Sequence, residues 1–342
     1  MQSFNFIFEG KNFTGKEGDS VAAALLNFNE SVLGTRLNGE DRGAYCGMGV
    51  CNECLVTING KRGLRACMHT LKPGDVIDKE SDARLNFPVF SAPKIERINE
   101  NSDIIIIGAG PAGLNAAITA KQCGAEVIVV DERTDTGGQY FKPRSPGFRG
   151  FSKLDRQHRE GISLRQKAEQ LGVQIYCGQT VWYARKEEKN FEIRSISDNQ
   201  QICLKSHSVI ICTGAFEIPK IVPGWTLPGV MTIGAAQTMA RRYGVAPRGK
   251  ILIAGNGPLG LQLAHEFIQL DHKEIVLAEK ADVLIDMLLL KAAFFSPSLV
   301  FNGARYRWST LKSRVPVMYG WEVASIFGVK KIEGVILSNT KT

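Results

Sequence analysis

Long apolar runs, clustered histidines and blocks of like charge are all missing from this 342-residue sequence. The N-terminus, MQSFNFIFEGKNF, alternates apolar and polar residues with period two. That is a strand pattern, without the apolar core of a signal peptide. The most apolar late stretch, ADVLIDMLLLKAAFFSPSLVF, is interrupted by Asp286, Lys291 and a Ser-Pro-Ser break, so no membrane span is expected. The net charge is +8, but no aromatic–basic array accompanies it. The surplus suits solubility and an acidic partner protein rather than nucleic acid. A cytoplasmic protein is the expectation, and structural disulfides are then not expected among its eight cysteines. The five histidines (His69, His158, His207, His265, His272) are dispersed and read as surface or packing residues. No Ser/His/Asp nucleophile constellation stands out. No Cys-x-x-Cys follows residue 54, which argues against a dithiol mechanism in the later chain.

What is present has two textures. Residues 1–80 read as a small β-rich module. FNFIF and KNFTG suggest a hairpin, SVAAALLNF a short helix, CLVTING a strand ending in an Asn-Gly turn, and GDVID a last strand. At 103 the pattern changes. DIIIIGAGPAGLNAAITAKQCGAEVIVVDE reads as apolar strand, glycine turn, helix and second apolar strand, a βαβ unit of a parallel sheet. A helix is expected over 153–172, then short strands around QIYCGQTVWYARK, NFEIRSIS and QICLKSHSVIICTG. KILIAGNGPLGLQLAHEFIQLDHKEIVLAEK repeats the βαβ pattern about 150 residues further on, and the tail from Val315 reads as three short strands.

Four cysteines cluster early, with the spacing Cys46-x4-Cys51-x2-Cys54-x12-Cys67. This is the plant-type [2Fe–2S] pattern, in which four thiolates converge on two irons. Gly47 and Gly49 permit positive φ in a loop that must wrap a cluster closely. Zinc is the main rival, although the second paired knuckle of a structural zinc site is missing. A Cys51–Cys54 disulfide would leave Cys46 and Cys67 unexplained. Cys123, Cys177, Cys203 and Cys212 lie in apolar surroundings and read as core residues.

Two glycine loops carry the rest of the chemistry. Gly108-x-Gly110-x-x-Gly113 follows a strand and opens a helix. Its first glycine suits a tight turn, its second a close approach of pyrophosphate, and its third close helix–strand packing. The pyrophosphate would sit at the positive helix N-terminus. Asp131 ends the next strand, where a carboxylate accepts hydrogen bonds from a ribose. Gly255-x-Gly257-x-x-Gly260 repeats the arrangement, with Glu279 in the acidic position. An acid there disfavours a 2′-phosphate, so NAD(H) is preferred over NADP if either binds.

NGEDRGAYCGMGVCNECLVTINGKRGLRACM resembles the small [2Fe–2S] module of bacterial amine and imino-acid dehydrogenase complexes, among them sarcosine oxidase relatives, hydrogen cyanide synthase, opine oxidases and D-hydroxyproline dehydrogenase. GAFEIPKIVPGWTLPGVMTIGAAQTMAR resembles the connector between the FAD and NAD halves of their flavoprotein subunits. DERTDTGGQY and VIICTGA resemble flavin-contacting segments of two-dinucleotide flavoproteins. The resemblance implies an α/β chain with a β-grasp-like [2Fe–2S] ferredoxin module followed by two Rossmann-like dinucleotide units. The expected boundaries are 1–85 for the module, 86–101 for a linker, 102–230 for the first part of an FAD domain and 231–342 for an NAD(P)-type insert. The closing part of the FAD domain is expected to be absent. The implied FAD set is Gly108, Ala109, Gly110, Pro111, Ala112, Gly113, Asp131, Glu132, Gly138, Gln139, Val181, Thr213 and Gly214. Gly255, Gly257, Gly260 and Glu279 would take NAD(H) or another adenine nucleotide, unless that unit is vestigial. Cys46, Cys51, Cys54 and Cys67 would hold iron.

The implied function is that of an electron-transfer subunit in a hetero-oligomeric, FAD-dependent amine or imino-acid dehydrogenase. An amino-acid-oxidase-like flavoprotein partner would oxidise the substrate, and electrons would leave to a separate acceptor. A stand-alone NAD(P)H-dependent reductase and a truncated [2Fe–2S] electron carrier without enzymatic activity are the alternatives. No residue of this chain stands out as a substrate base.

Overall fold

A computed structural model describes residues 3–81, 95–150, 154–197, 200–281 and 297–340. The chain opens with the hairpin β1 (Ser3–Phe8) and β2 (Lys11–Lys16), turned by Glu9 and Gly10 at φ 50° and 72°. Positive φ at both turn positions matches the right-handed twist of the strands. Helix α1 (Val21–Asn27) follows, its N-terminus capped by the Ser20 hydroxyl, which accepts from the Ala23 N–H at 3.2 Å. Its apolar residues, Val21 to Leu26, are all buried. Then come β3 (Gly34–Thr35), β4 (Asp41–Arg42), β5 (Leu55–Ile58), β6 (Lys61–Arg65) and β7 (Val76–Ser81). The sheet order is β2-β1-β7-β3-β4, with β5 pairing both β6 and β7. Phe6, Leu25, Val56, Ile58 and Ile77 form the centre of its core.

The next segment comprises β8 (Glu96–Ile107), α2 (Pro111–Gln122), β9 (Val127–Asp131), α3 (Arg156–Gln170), β10 (Gln174–Cys177), β11 (Thr180–Lys186), β12 (Phe191–Ile196) and β13 (Gln200–Ile211). They build a six-stranded sheet ordered β10-β9-β8-β13-β12-β11. The first four strands of that order are parallel, and β11 to β13 are antiparallel. The isoleucine and valine runs of β8 and β9 are central because parallel strands are covered on both faces.

The last part holds α4 (Ile233–Thr238), a π-helical turn (Met239–Tyr243), β14 (Ile251–Gly255), α5 (Pro258–Gln269), β15 (Ile275–Glu279), α6 (Pro297–Lys312), β16 (Val317–Tyr319), β17 (Trp321–Phe327) and β18 (Gly334–Asn339). Strands β14, β15 and β16 form a parallel sheet, and β17 pairs with β18 as a hairpin. Residues 282–296, most of the late apolar stretch, lie outside the described residues. Among the described residues, no helix is long and apolar enough to cross a membrane.

The chain divides into two compact units. One is Met1–Leu85 with Arg144–Phe151 and Glu217–Thr342; the other is Asn86–Pro143 with Ser152–Phe216. This differs from the expected boundaries, and residues 144–151 leave the 102–230 segment for the first unit. Strand β8 begins at Glu96, inside the stretch expected to be a linker, because it pairs with β13 along its whole length, Glu96↔Gln200 to Ile107↔Ile211. Residues 217–230 group with the second glycine loop rather than with 102–216. The N-terminal module and the later segment share one core, because Met239, Tyr243 and Val245 pack among Phe6, Leu25 and Ile77. A buried ion pair reinforces that union. Asp19 is fully buried, and its two carboxylate oxygens accept from both terminal nitrogens of Arg149, one at 2.7 Å.

Among the scattered cysteines, Cys123 and Cys177 depart from expectation, while Cys212 packs against a core cluster. Cys123 and Cys177 are exposed, and Cys203 and Cys212 are half-buried. Cys123 caps the C-terminus of α2 and Cys177 ends the outermost strand β10, so neither reaches the core.

Removing one partner of a buried, bidentate pair strands the other charge. Arg149→Ala is expected to lower unfolding stability by roughly 3–5 kcal/mol in urea titrations, with Arg149→Lys recovering part of the loss.

Candidate functional site

The cysteine loop runs between β4 and β5, and the fourth cysteine follows β6. Cys46, Cys54 and Cys67 are buried and Cys51 is half-buried. Gly47 and Gly49 take φ of 62° and 82°, and Asn52 takes 57°. These left-handed positions curl the loop so that backbone N–H groups face sulfur. The Met48 N–H donates to Cys46 Sγ at 3.4 Å and the Glu53 N–H to Cys51 Sγ at 3.5 Å. Arg65 Nη1 donates to the Gly49 carbonyl at 2.8 Å, and the Ala66 N–H to the Cys54 carbonyl at 2.9 Å. β6 is thereby tied to the loop, which brings Cys67 to the other three.

The sulfurs contact one another in the order Cys51, Cys46, Cys67, Cys54. Sulfur hydrogen bonds from Cys51 and Cys67 hold the Cys46 thiol far below its ordinary pKa. A bond from Cys67 lowers Cys54 in the same way. Cys51 and Cys67, as donors, are pushed up. Among the described residues, no three His, Cys, Asp or Glu side chains converge as ligands of a single ion. Four neighbouring thiols on a Cys-x4-Cys-x2-Cys spacing with a more distant fourth are the donor set of a plant-type [2Fe–2S] centre, and the second paired knuckle of a structural zinc site is missing. The donor set fits a [2Fe–2S] cluster. His69 stands apart from the sulfurs' chain, its Nε2 3.8 Å from Asp75 Oδ2.

The first glycine loop joins β8 to α2, and its three glycines do different work. Gly108 has φ 105°, and a Cβ there would lie 2.3 Å from the Cys212 carbonyl oxygen just beyond β13. A Cβ at Gly113 would meet the Gly108 carbonyl oxygen at 1.8 Å. Neither position has room for a side chain. At Gly110 the nearest atom to a Cβ would be Gly138 Cα, at 3.8 Å. The protein leaves that space open, as close approach of a ligand requires. Gly138, at φ 61°, faces it from the DERTDTGGQY loop, which is held by the Gly137 N–H on the Ala109 carbonyl at 2.8 Å. Gly110 caps α2 without a side chain, and Pro111 occupies the first turn. The loop therefore presents a bare helix N-terminus, which suits a pyrophosphate.

Asp131 ends β9 beside this loop. Its carboxylate accepts from the Ala109 N–H at 2.6 Å and the Arg133 N–H at 2.7 Å. It thereby organises the loop. Glu132 and Gln139 are half-buried in the following segment. Val181 lies on β11, two residues beyond Gln179, whose N–H donates to the Asp131 carbonyl at 2.9 Å. Thr213 and Gly214 follow β13, and both are exposed. The implied FAD residues thus gather at the C-terminal ends of β8, β9 and β13, with Val181 on the flanking strand.

The second loop has the same sequence pattern and looser packing. Gly257, at φ 119°, caps α5 and has nothing within 4 Å of a Cβ. A Cβ at Gly255 would lie 3.2 Å from Ile233 Cδ1, and one at Gly260 would be 3.5 Å from Ile253. Glu279 is buried at the end of β15, where burial raises its carboxyl above the ordinary value and the Gly257 N–H, at 3.3 Å, opposes the rise.

One group of contacts carries no sequence motif. Tyr45 stacks edge-on against Trp225, and the Gly47 backbone lies against Ala235. Burial, then Cys51, Glu217 and Cys46 nearby, push the Tyr45 hydroxyl up to about 12. The resemblance of 214–241 to a flavoprotein connector marked that segment as a whole, but no single residue in it.

Comparison with known proteins agrees with this geometry. Residues 2–82 match the 2Fe-2S iron–sulfur cluster binding domain, and residues 102–293 match the pyridine nucleotide-disulphide oxidoreductase family. The A chain of opine oxidase from Rhizobium meliloti is 30% identical over 248 residues, covering 70% of this chain and 47% of that protein. The alpha chain of sarcosine oxidase from Rhizobium meliloti (strain 1021) is 26% identical over 329 residues, covering 77% and 33%. This chain spans about half the length, or less, of these curated relatives. The crystal structure of L-proline dehydrogenase from P. horikoshii superposes with a TM-score of 0.69 at 22% identity, covering 99% of this chain and 58% of that one, which shows a shared fold.

Gly110→Ala is expected to cost about 1 kcal/mol of stability through the helix cap and to weaken flavin binding tenfold or more in equilibrium dialysis. Gly113→Ala is expected to lower the melting temperature itself, by overpacking of about 1–3 kcal/mol. For Glu279 the sign follows from its raised folded pKa: the folded state holds its proton longer, so stability falls as pH rises from the ordinary carboxyl value through the raised one. Glu279→Gln is therefore expected to melt above the wild type at pH 8, with the difference fading toward pH 4. With its two family matches laid over a clustered thiol loop and an open glycine cradle, the chain belongs to the pyridine nucleotide-disulphide oxidoreductase family, and a 2Fe-2S domain precedes that fold.

Proposed function

We propose that this chain is the electron-transfer component of a multisubunit, FAD-dependent amine or imino-acid dehydrogenase. The observation that carries the reading is the presence, in one chain, of a four-thiol loop and an open dinucleotide cradle. A bound flavin takes up an electron pair and releases it singly, while a [2Fe–2S] centre carries one electron at a time. Cys46, Cys51, Cys54 and Cys67 would bind the irons. Gly108, Gly110, Gly113 and Gly138 would shape the space for pyrophosphate, and Asp131 would hold the ribose side of the adenosine.

Substrate oxidation is assigned to a partner flavoprotein. The opine oxidase and sarcosine oxidase relatives are each one subunit of a larger enzyme, which supports a hetero-oligomer. A secondary or primary amine, or an imino acid, is the substrate class that fits those relatives. The second loop would take NAD(H) or another adenine nucleotide, with Glu279 disfavouring a 2′-phosphate. A stand-alone NAD(P)H reductase is the second reading, favoured by the open space at Gly257.

Anaerobic copurification tests the first reading. A second flavoprotein should accompany the chain, and the complex should reduce dye with an amine or imino acid. Full dehydrogenase activity from this chain alone would overturn it. Rapid mixing with NADH tests the second, which fails if flavin and cluster stay oxidised. Cys46→Ser is expected to lose iron, sulfide and the electron paramagnetic resonance signal of the reduced cluster while keeping stoichiometric flavin.

A further inference from the structure

Residues 225–235 cover one side of the cysteine loop. The Trp225 and Tyr45 rings meet edge to face, with centroids 5.1 Å apart and planes at 83°. Tyr45 precedes Cys46 in sequence and is 9% exposed. The Thr232 N–H donates to the Tyr45 carbonyl at 3.0 Å. A Cβ at Gly43 would lie 3.4 Å from Pro228, and one at Gly47 would lie 2.9 Å from Ala235. The cover therefore follows the loop from Gly43 through Tyr45 to Gly47.

The cover is itself firmly seated. The Gly234 N–H donates to a Glu217 carboxylate oxygen at 2.6 Å. The tip of Ile233 rests on the Gly255 backbone. Beyond α4, Arg241 Nη1 donates to Glu266 Oε1 at 3.0 Å, and both residues are buried. A cover held at so many points does not swing away under thermal motion as a free loop would.

Its consequence is electrostatic. A four-thiolate cluster gains negative charge when reduced, and low-dielectric surroundings oppose that charge while water favours it. Solvent exposure and hydrogen bonds to sulfur, together with net charge, therefore help set the potential of such a centre. We propose that Trp225, acting through Tyr45, is a redox-tuning lid of the cysteine site, which excludes water and holds the potential of the bound cluster low. The inference rests on the reading of Cys46, Cys51, Cys54 and Cys67 as [2Fe–2S] ligands. Trp225 is a positioning residue and touches no reacting atom.

The test uses the full chain, loaded and handled anaerobically, with redox titrations followed by electron paramagnetic resonance. Trp225→Ala is expected to favour electron uptake about tenfold, which is about 59 mV more positive for one electron. In aerated buffer its visible cluster absorbance should bleach several-fold faster. Trp225→Phe, which keeps a ring against Tyr45, should stay near the wild type, and Trp225→Leu should fall between. An unchanged potential and bleaching rate in Trp225→Ala would overturn the proposal. If that variant fails to load, the order wild type, Phe, Leu carries the test, and the absence of a graded positive shift overturns it. Iron and sulfide analysis separates this from failure of the ligand reading. A wild-type chain that takes up neither would remove the ligands and the lid together.

Discussion

Met239, Tyr243 and Val245 are buried in the same apolar core as Phe6, Leu25, Ile77, Cys54 and Cys67, and the cysteine site and its cover depend on that shared burial. A module of about 80 residues buries a smaller fraction of its surface than a larger domain does. Each large apolar side chain brought in from elsewhere contributes about 1.5–3 kcal/mol when fully buried. The π-helical turn that supplies Met239 and Tyr243 directly continues α4, so packing those two side chains also sets α4 beside Gly47. The Arg149–Asp19 pair fastens the same module from another segment, and Arg241 with Glu266 fastens the π turn to α5.

The two glycine loops share a pattern and differ in what their glycines are for. In the first, Gly108 and Gly113 are required by backbone atoms of the protein itself, while Gly110 faces open space. In the second, Gly257 has open space but a φ of 119°, a Cβ at Gly255 would meet a side-chain tip at 3.2 Å rather than backbone, and Gly260 makes only ordinary van der Waals contact. Steric necessity therefore enforces the first loop more strongly than the second. The acids differ too. Asp131 accepts from two backbone N–H groups, whereas Glu279 is buried and accepts one longer bond.

Much of the fold was legible because its signals are local. The Glu9-Gly10 and Asn59-Gly60 turns, the Ala-rich α1 and both strand–glycine–helix units announce themselves by spacing and residue type. The first half of β8, ERINENSD, did not, since its polar residues carry no apolar period; pairing with the start of β13, where Ile202 and Leu204 are buried, makes it a strand. Apolar neighbours in sequence also misled for Cys123 and Cys177, because a helix C-cap and a sheet edge remain exposed whatever flanks them. The π turn at MARRY has no propensity signature and comes from packing.

The sequence by itself determined the cysteine spacing, the positions of the glycine turns and the acid that ends each second strand, because those are properties of short segments. Only the tertiary structure decided that Cys67 meets Cys46 and Cys54, that Gly110 faces Gly138 across open space, and that Trp225 lies over Tyr45. Those pairs are separated by 13 to 180 positions along the chain. Their meeting follows from sheet pairing and shared core burial, which no local pattern encodes.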